Sequence, residues 1–169
     1  MKENKLIIEP LTRQDLPFLN EVRNLVREYL HDNREFSLDE TNSWFRSLPP
    51  ENKYYLISIC REGGQTPIGY FRTREYIMPW VRQGKPCKCL EIGADLHPSF
   101  EGKGYAYRSY IQFLSELEGR GFECVSLQVL GSNSRAFNLY VKLGFVCGRS
   151  KAILRDGKFL ISIKMEKWF

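Results

Sequence analysis

Nowhere in this 169-residue sequence does an apolar run approach the ~20 residues a membrane-spanning helix needs; the longest apolar-rich stretch covers only 54–60. The opening MKENKLIIEP has no apolar segment of signal-peptide length either, so a soluble, unexported protein of the cytoplasm is expected, with no membrane partner. Histidine is scarce: His31 and His97 are the only two, and neither has ligand spacing. Cys87-Lys88-Cys89 is half of a zinc pattern with no second CxxC to complete it, so no metal is expected. The five cysteines, Cys60, Cys87, Cys89, Cys124 and Cys147, are an odd count. Three lie in apolar strand-like runs, which suits reduced thiols acting as small hydrophobes. No repeat, low-complexity tract or Gly/Ser linker divides the chain, and its length suits one domain over 1–169. Charge of one sign is also lacking. The 25 basic residues stand among 20 acidic ones, and a net charge of +5 declares no nucleic-acid surface while suiting an anionic small ligand.

What is present is a 43% hydrophobic, 14% aromatic composition with clear periodicities. Residues 6–8 read as a strand ended by Pro10. Leu19, Val22, Val26, Tyr29 and Leu30 recur at helical spacing, which predicts a helix over about 15–30. Ser37 with Glu40 three residues later is a capping box for a second helix that stops before Pro49-Pro50. Residues 54–61 and 67–76, rich in β-branched and aromatic side chains, flank Gly63-Gly64 as an antiparallel hairpin. A strand over 89–96, closed by Pro98, leads into a helix from Tyr105 whose apolar face is Ala106, Tyr110, Phe113, Leu114 and Leu117. Val125, Leu127 and Val129 alternate with polar residues. Asn133 then caps a helix carrying Ala136, Phe137, Tyr140 and Val141 that ends at Gly144. A last hairpin, 145–154 and 158–167, turns at Asp156-Gly157, a pair suited to a type I′ turn. The fold class is α+β, one mixed central sheet flanked by about four helices.

The densest chemical signal is Leu96-His97-Pro98-Ser99-Phe100-Glu101-Gly102-Lys103-Gly104-Tyr105-Ala106, where a strand stops and two glycines precede a helix. Gly102 and Gly104 let successive backbone amides point into one concavity, and the helix N-terminus adds the positive end of its dipole. Such a turn can hold an anion, or serve only as a tight strand-to-helix connection. It is not a Walker loop, because the Lys-Ser/Thr ending is missing, and it lacks the third glycine of a dinucleotide fingerprint. The second signal is Asn133-Ser134-Arg135-Ala136-Phe137-Asn138-Leu139-Tyr140-Val141-Lys142-Leu143-Gly144-Phe145. Taken alone, Tyr140 reads as a core aromatic on the stripe of Phe137 and Val141. A GxG/A turn after a strand, followed ~30 residues later by N-x-x-A-x-x-L-Y-x-K-L-G-F, resembles the GNAT superfamily of N-acetyltransferases. The resemblance is densest over 91–146, and the order of elements along the whole chain is similar too.

The resemblance implies the GNAT fold and acetyl-CoA as co-substrate. It would place the coenzyme pyrophosphate on the backbone of Gly102, Lys103, Gly104, Tyr105 and Ala106, and the pantetheine arm beside Leu96 and His97. Asn133 would reach the pantetheine or act as the helix cap. Tyr140 would donate a proton to the leaving sulfur, while a backbone N–H of residues 92–96 stabilises the thioester oxygen. Glu101 departs from the family pattern, which usually places Gln or Arg three residues before Gly104, so its carboxylate must point away from the pyrophosphate. For the base, Glu91, Gly93 and Asp95 share one strand face by alternation, with Gly93 leaving space for a substrate. Glu91 is the first candidate, acting directly or through water, with an ion-paired strand residue as the plain alternative; His97 is expected to be positional.

The acceptor of such an enzyme lies against the first two helices and the loop over 74–88. Val22-Arg23-Asn24, Phe36-Ser37 and Trp44-Phe45 faintly resemble the amino-sugar-nucleotide and ribosomal-protein N-acetyltransferases. Arg23, Arg27 and Arg34 would hold phosphates of a nucleotide sugar, or be solvated helix charges. Trp44, Phe45, Tyr76 and Trp80 would stack on a base or sugar, or simply pack. Three readings follow: transfer to a small primary amine, with an amino sugar or nucleotide amino sugar ahead of a protein N-terminus; use of a longer acyl-coenzyme A; or a non-catalytic coenzyme-binding module. Assembly is left open, a homodimer being one option.

Overall fold

The computed structural model describes residues 4–61, 63–79 and 84–169. Seven strands form one sheet: β1 (Leu6–Pro10), β2 (Asn52–Arg61), β3 (Gly64–Met78), β4 (Cys87–Leu96), β5 (Cys124–Leu130), β6 (Val146–Arg155) and β7 (Lys158–Trp168), in the order β1-β2-β3-β4-β5-β7-β6. Every neighbouring pair is antiparallel except β4 with β5. Four α-helices accompany it among the described residues: α1 (Leu16–Leu25), α2 (Leu38–Arg46), α3 (Tyr105–Gly119) and α4 (Ser134–Lys142). The mixed sheet with four helices is the expected fold class.

Alternation along the strands divides the sheet into two unlike faces. Ile57, Phe71, Leu90, Ile92, Val125 and Leu127 point to one side, where α3 supplies Tyr110, Phe113 and Leu117, and α4 supplies Tyr140. Phe71 stacks on Phe113 at 4.5 Å between ring centroids, and Tyr110 meets it edge-on at 5.1 Å. This face is the main core. Leu56 and Tyr70, one residue out of step, point to the other side, where α1 packs with Leu16, Leu19 and Val22. Next to this cluster the second face is polar, with Arg72 and Arg74 on β3 opposite Gly93 and Glu91 on β4.

Local signals hold at most junctions. Ser37 Oγ accepts from the Glu40 amide while the Glu40 carboxylate accepts from the Ser37 amide, so the predicted capping box forms. Asp156 and Gly157 both have positive φ, 50° and 71°, as a type I′ turn demands. The first helix is shorter than its periodicity predicts. The chain leaves helical geometry at Val26 and continues as a 3-10 turn over Arg27–Tyr29. There Asn24 uses its side chain on the chain beyond: its Nδ2 donates to the Phe36 carbonyl at 2.8 Å and its Oδ1 accepts from the Phe36 amide at 3.1 Å. The segment over 30–36 is thereby folded back against α1, over the polar face.

Cys87, Cys89 and Cys124 are buried together and all five cysteines are free. Burial pushes the Cys89 thiol up and the Cys124 thiol up to about 12, so both stay protonated and inert.

Candidate active site

β4 has a partner on each side for only part of its length. Its parallel register with β5 covers Cys89↔Cys124, Leu90↔Val125 and Glu91↔Ser126, while its pairing with β3 continues to Leu96↔Gly69. From Ser126 onward β5 stays with β7, as far as Leu130↔Ser162. Over 92–96 the β5-facing edge of β4 therefore offers backbone groups with no ladder partner, and the two strands open into a wedge.

The glycine turn stands at the end of that wedge. His97 Nδ1 accepts from the Ser99 amide at 3.2 Å and caps the 3-10 turn Pro98–Phe100. Gly102 and Gly104 follow with φ of 71° and 77°, the left-handed region where a side chain is strained. Gly104 caps α3 with no side-chain hydrogen bond, so the first amides of this 15-residue helix keep no side-chain acceptor. Asn133 does the same work for α4 with a side chain, its Oδ1 accepting from the Ala136 amide at 3.2 Å.

A cleft of about 470 Å³ lies between the two helix starts and β4. Leu96, Gly102, Gly104, Tyr105, Ala106, Asn133 and Tyr140 line it, as does Asp95. His97 and Lys103 do not. His97 turns toward α1, stacking near Phe18 with its Nε2 3.6 Å from Glu21, and Lys103 Nζ donates to the Ser99 carbonyl at 2.7 Å. The Glu101 carboxylate is taken up by Arg135 of α4, whose guanidinium also stands 3.8 Å from where a Cβ on Gly102 would be. The Tyr140 ring is edge-on to Tyr110 and to Phe145. Burial pushes its phenol above the ordinary value, so at neutral pH it carries a proton to give.

A second cleft, about 740 Å³, lies on the polar face, with Glu91, Ile92 and Gly93 as its floor and the 30–36 segment as a wall. Glu91 is ion-paired with Arg74 at 3.0 Å. Arg72 binds Asp95 at 2.6 Å. Its guanidinium fills the space above Gly93, where a Cβ would be 2.6 Å from Arg72 Nε. Thus β4 forms a wall common to both clefts, and Asp95 lines one while its partner Arg72 lines the other. Of the arginines expected to hold phosphate, Arg23 donates to the carbonyls of Asp32 and Arg34, and lies 4.0 Å over the Phe36 ring. Arg34 grips Asp32 at 2.7 Å and by this hydrogen bond lowers the Asp32 carboxyl to about 2. Arg27 is outside the lining and donates to the Asn24 carbonyl. His31 lines this cleft with its Nε2 2.7 Å from Ser162 Oγ.

A family model described as an acetyltransferase (GNAT) domain matches residues 5–146. The chain belongs to the GNAT acetyltransferases. It is an enzyme, an acyltransferase of the N-acetyltransferase kind. No curated protein sequence matches it. Solved structures share the fold at low identity. A spermidine N-acetyltransferase from Vibrio cholerae, in complex with CoA and spermine, superposes with a TM-score of 0.80 at 19% identity, covering 96% of this chain and 95% of that one. A ribosomal-protein-alanine N-acetyltransferase from Brucella melitensis gives 0.75 at 16% identity, with 96% and 99% covered. A protein from Salmonella typhimurium with its cofactor acetyl-CoA gives 0.72 at 16% identity, with 97% and 94% covered.

Within this GNAT domain, one sequence expectation needs correction. The space Gly93 was expected to leave for a substrate is occupied by Arg72, which no local pattern singled out; β3–β4 register places it there. Of the four aromatics, Trp44 lines the second cleft, Phe45 packs beside Trp44, and Tyr76 bonds Ser126 at 3.1 Å near the buried cysteines. Trp80 lies outside the described residues. No local pattern marks His31 or the Arg135–Glu101 pair; the one signal for Arg135 is its place in the first turn of α4, two residues after the Asn133 cap. Removing Asp95 strands the Arg72 guanidinium. Asp95→Ala should cost about 1–3 kcal/mol in urea denaturation, less than a fully buried pair because Arg72 keeps contact with water. Arg72→Met combined with Asp95→Leu should recover most of it.

Proposed function

We propose that residues 1–169 act as one domain that transfers an acetyl group from acetyl-CoA, held in the 470 Å³ cleft, to a primary amine entering through the 740 Å³ cleft. The observation that carries this reading is the wedge, where unpaired backbone over 92–96 separates a glycine-turn anion site from a charged cleft. The co-substrate supplies a thioester and a pyrophosphate. The amides after Gly102 and Gly104 fit the pyrophosphate, since a left-handed turn and an uncapped helix start give donors without added side chains. Leu96, Tyr105, Ala106 and Asn133 bound the same space, whereas His97 and Lys103 serve by shaping the turn. An amide of 92–96 donates to the thioester oxygen, and Tyr140 gives its proton to the sulfur as the C–S bond breaks. Glu91, paired with Arg74, receives the incoming ammonium group.

The acceptor cleft has four arginines in its lining, Arg23, Arg34, Arg72 and Arg74, against the carboxylates of Asp32 and Glu91. That surplus disfavours a polyamine and favours an amine that also carries an anionic group. A nucleotide amino sugar has both, plus a base for Phe36 and Trp44.

A screen of thiol release with amino sugars, nucleotide amino sugars, polyamines, amino acids and N-terminal peptides should give the highest kcat/KM for a nucleotide amino sugar, falling with added salt. A polyamine as best acceptor would overturn the choice of acceptor. With any acceptor, Tyr140→Phe should lower kcat by about 10²–10⁴ and leave coenzyme affinity intact, the contribution of a positioned acid; an unchanged kcat removes Tyr140 from the chemistry. Glu101→Gln should free Arg135 for the coenzyme phosphates and tighten CoA binding up to roughly fivefold by calorimetry, equivalent to about 1 kcal/mol, while Arg135→Ala should weaken it.

A further inference from the structure

His31 is the only histidine in the acceptor cleft, and its hydrogen bonds define which ring nitrogen is basic. Ser162 Oγ lies 2.7 Å from His31 Nε2 and 3.3 Å from Gln128 Oε1. With Gln128 presenting its amide oxygen, which only accepts, the single hydroxyl proton of Ser162 goes to Gln128 and His31 Nε2 donates to Ser162 Oγ, the assignment that satisfies all three groups. A neutral imidazole has one N–H, which leaves the lone pair on Nδ1. Gln128 stands on β5 just past the point where β4 departs, and it lines the same cleft as Glu91 and Gly93.

We infer that His31 Nδ1 is the proton acceptor of the acetyl transfer, and that Ser162 and Gln128 are positioning residues that fix its tautomer. This rests on the transfer reading above. An alkylammonium ion sheds two protons in becoming an amide. As the C–N bond forms and the C–S bond breaks, Tyr140 gives its proton to the sulfur and is refilled by one amine proton; the other goes to His31 Nδ1 and on to solvent. Glu91, paired with Arg74, attracts the ammonium, and imidazole is the group whose ordinary basicity matches neutral pH.

The segment bearing His31 is held in place. Arg155 at the end of β6 donates to the carbonyls of Glu28 at 3.1 Å and Leu30 at 2.6 Å, and Asn33 donates to Asp156 at 2.5 Å. The charges that face the ring are Arg72 from β3, Lys151 and Arg155 from β6, and Glu91 from β4, with Asp32 next in sequence and gripped by Arg34. Burial first, then the three cations, lower the imidazole pKa, against a smaller pull from Glu91. The ring is therefore uncharged and competent at neutral pH, and activity falls as the pH drops through its pKa, below 6.5.

With only two histidines in the chain, nitrogen NMR of the whole protein reads the ring directly. The expected result is a neutral Nε2–H tautomer titrating below 6.5. An Nδ1–H tautomer, or a pKa above 6.5, overturns the inference whether or not an acceptor is known. With the best acceptor and saturating acetyl-CoA, kcat/KM against pH should show an acidic limb at that same pKa. His31→Gln should abolish the limb and lower the neutral-pH rate about 10²–10³-fold, while Glu91→Gln raises acceptor KM and keeps the limb. A His31→Gln enzyme that keeps the limb and loses only stability or acceptor affinity makes His31 a brace, and overturns the inference. Absence of transfer to any amine by the unaltered protein instead refutes the transfer reading, and leaves the NMR result to decide the tautomer.

Discussion

Between β4 and β5 the parallel ladder runs for three residue pairs and ends at Glu91 and Ser126. Everything the site does depends on that ending. A continued ladder would consume the backbone groups of 92–96 and close the wedge; a shorter one would detach the two halves of the sheet. β3 on one side and β7 on the other keep the parted strands in extended geometry, so the unpaired edge is held rigidly. Unpaired backbone in a firm setting is polar surface prepared in advance, which is what electrostatic stabilisation of a developing charge requires.

The two faces of the sheet divide the labour. On one, Phe71, Tyr110 and Phe113 form a dense aromatic core with α3 and hold the helix start against the glycine turn. On the other, arginines and carboxylates meet in pairs: Arg72 with Asp95, Arg74 with Glu91, Arg34 with Asp32. Such pairs contribute little to stability where water reaches them, but they set side-chain positions. The Arg72–Asp95 pair has a further consequence. It ties the lining of one cleft to the lining of the other across β4.

Much of the architecture was legible along the chain. The seven strands, the capping box at Ser37 and Glu40, the Asn133 cap and the Asp156-Gly157 turn depend on residues within a few positions of one another. The glycine turn was legible for the same reason. The first helix stops short of its apolar spacing, which continues past Val26, because Asn24 and Arg23 bond to a segment ten or more residues away. Gly93 offers empty space when only its own strand is considered, but Arg72 of the neighbouring strand fills the space above it. Glu101 looked like a charge at odds with an anion site, and its partner Arg135 is 34 residues further on.

From the sequence alone, the local backbone chemistry was determined: where amides would be left free, where helices would start, and where the chain would reverse. These are settled by φ preferences, caps and periodicity acting over one or two turns. Which charges meet was decided only by tertiary structure. Arg72 reaches Asp95 by strand register, and His31 reaches Ser162 across 131 residues because the α1–α2 segment folds over the end of the β6–β7 hairpin. Pairings of that kind are set by sheet order and twist, and no short stretch of chain contains them.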